Sequence, residues 1–139
     1  MLPAFVLDAS VTIAWAVTDE DDPYSNLVLE AMVQHRVLAP ALWLWEVGNS
    51  LVTAERRGRL TKEETAKFLA TLRDLSIKVE PEPAAYLLEE LVALARMYQL
   101  SVYDAAYLHL AMYQGCPLAT IDEALRQAAG QAGVPLFGK

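Results

Sequence analysis

Short apolar runs alternate with longer stretches of helical periodicity along this 139-residue chain. Leu2 to Leu7 is apolar throughout and halts at Asp8, the pattern of a strand buried on both faces. Ser10 to Val17 continues as a helix, an acidic loop Asp19-Glu20-Asp21-Asp22 follows, and Pro23 opens a second helix, Tyr24 to His35. Val37-Leu38-Ala39 predicts a short strand stopped by Pro40. Two helices come next: Ala41 to Arg57 with Gly58 as its stop, and Thr61 to Arg73 capped by Thr61 with Glu64 three positions on. Ser76 to Val79 reads as a strand, and Pro83 to Tyr98 and Val102 to Gln114 as helices, the latter ending at Gly115. Strand Pro117 to Ile121, helix Glu123 to Ala129 and strand Val134 to Phe137 complete the series. Strands this short and apolar, alternating with helices, predict an α/β fold whose parallel sheet is covered on both faces.

Four carboxylates stand at the edges of these apolar segments: Asp8 in FVLDAS, Glu46 in WLWEVGN, Asp104 in SVYDAAYLHLA and Asp122 in LATIDEAL. Asp8 and Asp122 each follow a strand immediately, so both belong on the sheet edge where open α/β folds bind ligands. In the helix Ala41 to Arg57, Glu46, Asn49, Ser50 and Thr53 form one polar stripe between apolar neighbours, which predicts a polar pocket. An amphipathic surface helix is the plainer alternative. Helix capping is the plainer account of Asp8, Asp104 and Asp122, with Ser101-x-x-Asp104 matching a capping box. Repulsion separates the two accounts. Two carboxylates about 5 Å apart repel by roughly 3 kcal/mol at an effective dielectric of about 20. Gathered together, the four acids need a shared cation, and an all-oxygen donor set suits Mg²⁺ or Mn²⁺ and phosphate chemistry. Scattered caps need none.

Composition narrows the classes. The length suits one domain, and 55% apolar residues argue against disorder. No run of 18 uninterrupted apolar residues occurs, and no basic segment precedes the first apolar run, so neither a membrane span nor a signal peptide is expected and cytoplasmic is the default. The lone Cys116 reads as a packed thiol. A net charge of −7 argues against broad, sequence-blind wrapping of nucleic acid but leaves room for a nuclease with local, metal-mediated contacts.

The ordered set LDAS, WEVGN, SVYDAAYLHLA and LATIDEAL resembles the PIN-domain family, particularly VapC-type toxins of prokaryotic toxin–antitoxin pairs, over essentially the whole chain. YDAAYLHLA and the Thr120-x-Asp122 pair are its most specific parts. The resemblance implies a three-layer α/β/α sandwich with a central parallel sheet of about five strands, residues 1–139 forming a single PIN-like domain. It implies a metal-dependent endoribonuclease that hydrolyses RNA, tRNA being one target class, by metal-activated water. Asp8, Asp104 and Asp122 then hold one or two Mg²⁺ or Mn²⁺ ions, and Glu46 binds an ion or orients its water. Thr120, Asn49 and Ser10 fall on polar supporting positions, and Glu123 adjoins the last acid where the family varies. A homodimer and a cognate antitoxin with a basic or aromatic tail are the implied partners.

The remaining candidates read as structural. His109 suits a core or interface position, and His35 a helix end whose dipole it complements. Trp43, Trp45, Tyr103 and Tyr107 read mostly as packing. Arg56, Arg57, Arg59 and Lys62 form a local basic cluster around Gly58, either an exposed turn or a device that steers phosphate. Helix Ala41 to Arg57 carries more apolar surface than a small sheet buries, which predicts a subunit or partner interface. A phosphoacceptor receiver module lacks its paired acids at Asp8 and its late lysine here. A non-catalytic acidic pocket for a basic peptide, or a PIN-type nuclease acting on DNA or in RNA processing without an antitoxin, are the alternatives.

Overall fold

The computed structural model describes residues 1–17, 22–81 and 85–139. The expected loop at Asp19-Glu20-Asp21 and the expected helix start at Pro83 lie outside the described residues. Four strands form one wholly parallel sheet: β1 (Ala4–Leu7), β2 (Arg36–Pro40), β3 (Ile77–Glu80) and β4 (Leu118–Ala119), in the order β3-β2-β1-β4. Phe5, Val6 and Leu7 are all fully buried. Successive strand side chains point to opposite faces, so β1 is covered on both sides by helices.

Seven helices connect these strands among the described residues: α1 (Ala9–Ala16), α2 (Pro23–Ala31), α3 (Leu42–Arg56), α4 (Lys62–Asp74), α5 (Leu87–Tyr98), α6 (Val102–Gln114) and α7 (Glu123–Ala132). Local chemistry sets their ends. Thr61 and Glu64 form the reciprocal capping box that starts α4, and Gly115, at φ +64°, lets the chain turn out of α6 in a conformation that other residues resist. α6 packs on β1, β2 and β4, and α5 lies against α6. Leu108 of α6 and Leu125 of α7 join the strand residues in the core.

The sheet has four strands, not about five. Residues 134–137 contribute only an isolated parallel bridge, Leu136 opposite Leu118. The Pro135 carbonyl accepts Leu118 N–H and Phe137 N–H donates to the Leu118 carbonyl, but proline offers no N–H and Gly138, at φ +78°, ends the pairing at once. Other boundaries move for similar local reasons. β1 begins at Ala4, with Leu2 49% exposed, and β4 is trimmed to two residues because the chain beyond Ala119 turns into side-chain bonds. The second helix closes at Ala31 through a 3₁₀ turn, Met32–Gln34.

The chain steps outward from β1 to β2 to β3, then returns to pair β4 on the other side of β1. The strand order reverses at β1/β4, and a crevice opens beyond the carboxyl ends of strands at such a point.

Candidate active site

Leu7 lies opposite Ala119, so the next residues of each strand, Asp8 and Thr120, emerge side by side. The Asp8 N–H donates to the Ala119 carbonyl at 3.0 Å and carries the ladder up to that pair. Asp8 occupies the N-cap position of α1, yet its side chain makes no capping bond. Its Oδ2 instead accepts the Ser10 hydroxyl at 2.6 Å and the Thr120 hydroxyl at 2.7 Å. Thr120 Oγ1 in turn accepts the Asp122 N–H at 3.0 Å, and Ser10 Oγ accepts the Ile121 N–H at 3.2 Å. Each hydroxyl thereby spends its one proton on Asp8 and accepts from one peptide, which fixes its orientation. Asp122 does cap its helix: Oδ2 accepts the Leu125 N–H at 2.9 Å at the start of α7.

The other two acids ride on helices. Glu46, on α3, accepts the hydroxyl of Tyr107 at 2.5 Å; Tyr107 is fully buried on α6. Asp104 stands in the first turn of α6, where Ser101 Oγ accepts its N–H at 3.0 Å. The hydroxyl half of the expected capping box is present, and the Asp104 carboxyl faces the same cavity as the other acids. That cavity, about 400 Å³, is lined by Asp8, Ser10, Glu46, Asn49, Ser50, Asp104 and Asp122. Thr120 is buried beneath it, Thr53 does not reach it, and Glu123 is exposed outside it.

Excess negative charge dominates this cavity. Burial raises the Asp8 carboxyl above its ordinary range, and the Asp122 charge adds to the rise, while the Ser10 and Thr120 hydroxyls oppose it. Burial also raises Glu46, against the Tyr107 bond and with help from Asp8. Asp104 is pushed up to about 6, by burial first and then by Asp122, Asp8 and Glu46. Burial and the bond to Glu46 hold the Tyr107 hydroxyl protonated, fixing it as a donor.

Among the described residues, no group of three His, Cys, Asp or Glu side chains is already drawn together to hold an ion. Uncompensated carboxylates repel, which favours such spacing. The donor set fits a hard divalent cation in kind: all oxygen, half-buried, and short of positive charge.

Three residues take parts that their sequence context did not suggest. Tyr107 is a hydrogen-bond donor to Glu46 as well as packing; its place three residues after Asp104 on one helical face was the available signal. Arg126 donates through Nε to the Thr120 carbonyl at 2.7 Å, one turn after Asp122. Trp43 donates to Thr12, whose hydroxyl leans on the Asp8 carbonyl. His109 pairs with Glu90 of α5 at 2.5 Å, away from the cavity, and His35 Nδ1 meets the Ala31 carbonyl at 2.7 Å at the end of α2. Cys116 is buried and free, its thiol raised by burial. No helix among the described residues is long and apolar enough to cross a membrane.

Known proteins share this architecture. The chain is 32% identical over 123 residues to Ribonuclease VapC3 of Pyrobaculum aerophilum, covering 88% of this chain and 92% of that one. The crystal structure of PAE2754 from Pyrobaculum aerophilum superposes with a TM-score of 0.69 at 26% identity, covering 92% of this chain and 87% of the other. VapBC2 from Rickettsia felis, crystallised with a DNA fragment from its promoter, gives 0.67 at 13% identity, and FitAcB from Neisseria gonorrhoeae 0.64 at 16%, each over 96% of both chains; these two share the fold. The PIN domain profile matches residues 5–131, nearly the whole span from the first strand to the last helix, and the chain belongs to the PIN domain family.

Proposed function

We propose that this chain, a single PIN-like domain over residues 1–139, is a Mg²⁺- or Mn²⁺-dependent endoribonuclease of the VapC type, acting in the cytoplasm as the toxin of a toxin–antitoxin pair. One observation carries the reading: carboxylates from four distant stretches, at positions 8, 46, 104 and 122, line one cavity at the strand-order reversal of a PIN fold. The relative named Ribonuclease VapC3 supports RNA as substrate and hydrolysis as reaction class.

Asp8, Asp104 and Asp122 would hold the cation, with Glu46 on the ion or on its water. When bound, the ion supplies positive charge against the phosphodiester and acidifies a water for attack. The chain's own residues do the positioning. Ser10 and Thr120 lock Asp8 in one orientation, and Thr120 ties it to the Asp122 peptide. Tyr107 fixes Glu46 from below, and the N-terminus of α6 favours the ionised form of Asp104. Asn49 and Ser50 give the cavity a polar wall without further charge.

An antitoxin with a basic or aromatic tail would neutralise the acidic cavity. Its apolar part would suit the groove of about 310 Å³ lined by Trp43, Leu44 and Leu51 of α3 and Leu69 and Leu72 of α4. The exposed Leu88 and Met97 of α5 and Tyr103 and Tyr113 of α6 suit a homodimer contact. The VapBC2 name of one structural neighbour supports the pairing.

Purified protein incubated with end-labelled RNAs, tRNA included, tests the reading. Cleavage is expected with Mn²⁺ or Mg²⁺, none in EDTA, and none by the Asp8→Asn and Asp104→Asn variants. Wild-type protein inert towards RNA with both ions, or full activity in Asp104→Asn, refutes it.

A further inference from the structure

A second, larger cleft of about 720 Å³ adjoins the acidic cavity, and Ser10 lines both. Its volume falls in the range of about 300–1,000 Å³ that holds small organic ligands. Its chemistry is opposite to that of its neighbour. Arg59, Arg126 and Lys139 line it, three of the chain's 11 Lys and Arg residues. The one carboxylate lining it, among the described residues, is Asp22, whose two oxygens are occupied by the Tyr24 N–H and the Ser25 hydroxyl.

Arg126 is held ready at this cleft. Its Nε donates to the Thr120 carbonyl, and its guanidinium carbon lies 4.6 Å from the centroid of the Tyr24 ring. Guanidinium has five N–H donors in a planar fork, and among the described residues the bond Arg126 makes is through Nε, which turns the Nη edge to the cleft. The same Thr120 whose carbonyl anchors Arg126 anchors Asp8 and the Asp122 peptide through its hydroxyl. The spacing between the cation and the acids is therefore built through one buried residue. Ile13 lines both clefts, and exposed Ile121 gives the larger one an apolar ledge.

A chain of net charge −7 with a carboxylate-lined cavity repels a polyanion unless cations beside that cavity hold it. We propose that this cleft is a backbone subsite for single-stranded RNA, in which Arg126, assisted by Lys139, binds the phosphate of a nucleotide beside the one cleaved. The inference rests on the endoribonuclease reading, and it goes beyond it by naming where the substrate strand is held.

Binding of a fluorescently labelled single-stranded RNA, followed by anisotropy in EDTA over a salt series, is the first arm. Steady-state cleavage with Mn²⁺ is the second. Arg126→Gln is expected to weaken binding about tenfold, to reduce the salt slope by about 0.7, the share of one phosphate contact on a single strand, and to raise KM more than it lowers kcat. Arg126→Lys keeps the charge without the Nε bond and should recover most of the affinity and the salt slope. A merely structural Arg126 would instead lower kcat in both variants alike and leave the salt slope at its wild-type value, which overturns the subsite. Should Arg126→Gln fail to fold, Lys139→Gln carries the test, and an unchanged salt slope there overturns it equally. Competition by an acidic peptide as strong as that by RNA also counts against it. Arg126-dependent RNA binding by a wild-type protein that cleaves nothing would sink the nuclease reading and leave the subsite standing.

Discussion

Asp104→Asn should stabilise the metal-free protein while abolishing cleavage. Asparagine keeps the shape and the backbone N–H that Ser101 caps, and removes one charge. The Asp104 carboxyl is raised from 3.8 to about 6 by burial and by three neighbouring acids, so the folded state holds its proton more tightly than the unfolded chain does. Stability is therefore greatest below the unfolded value near 3.8 and is lost as pH rises to about 6. At about 1.36 kcal/mol per unit the full shift is about 3 kcal/mol. Solvent screening around a half-exposed side chain cuts this to about 1.5 kcal/mol. Losing a negative charge from the first turn of α6 costs back about 0.5 kcal/mol. The net gain at pH 7.5 in EDTA is about 1 kcal/mol, or about 4 °C in Tm for a chain of this size. Thermal melts at pH 7.5 and pH 4 measure it, and the gain should fade at the lower pH, where Asp104 is already protonated in the fold. Saturating Mn²⁺ should reverse the ranking, because an ion at 100 times its Kd stabilises the wild type by about 2.7 kcal/mol. A variant no more stable than wild type at pH 7.5 in EDTA would refute the electrostatic account of the cavity.

Three further outcomes follow from the same geometry. Thr120→Val should cost about 2 kcal/mol in urea unfolding, because it strands the Asp122 N–H and removes a hydroxyl from Asp8, and should lower cleavage at least about tenfold; a silent variant would contradict the hub role. Tyr107→Phe should leave the fold intact at a loss of about 1 kcal/mol and weaken Mn²⁺ binding in calorimetric titration; equal affinity would mean that Glu46 needs no support. Mn²⁺ affinity should fall as pH drops through about 6, since protons compete for Asp104 in the form that binds metal, and a titration flat from pH 5 to 8 would exclude Asp104 as a ligand.

The strand-end acids were legible because each interrupts an uninterrupted apolar run, and the parallel sheet followed from the alternation of such runs with helices. The polar stripe of α3 was legible as far as Ser50, since helical spacing alone brings Glu46, Asn49 and Ser50 onto one face. Thr53 belongs to that stripe by periodicity but lies too far along the helix to reach the cavity. Capping chemistry misleads at Asp8, where the N-cap position is right but the carboxylate turns to two hydroxyls, one of them 112 residues away. Tertiary partners of this kind leave no periodic trace. Tyr107 is hidden for a related reason: a tyrosine on a buried helical face reads as packing until the group opposite its hydroxyl is known. The fifth strand failed on a backbone count, because Pro135 removes the N–H that pairing needs.

The four acids are not mounted alike. Asp8 and Asp122 are bound into the hydrogen-bonded end of β1 and β4, where slipping the pairing by one residue would turn Asp8 to the opposite face and break the core with it. Glu46 and Asp104 sit on α3 and α6, joined by the Tyr107–Glu46 hydrogen bond, and their positions depend on side-chain packing against the sheet and not on strand register. Selection acting on catalytic rate therefore has one stiff jaw and one adjustable jaw, and sequence changes that tune cleavage without harming folding should collect on the helical side.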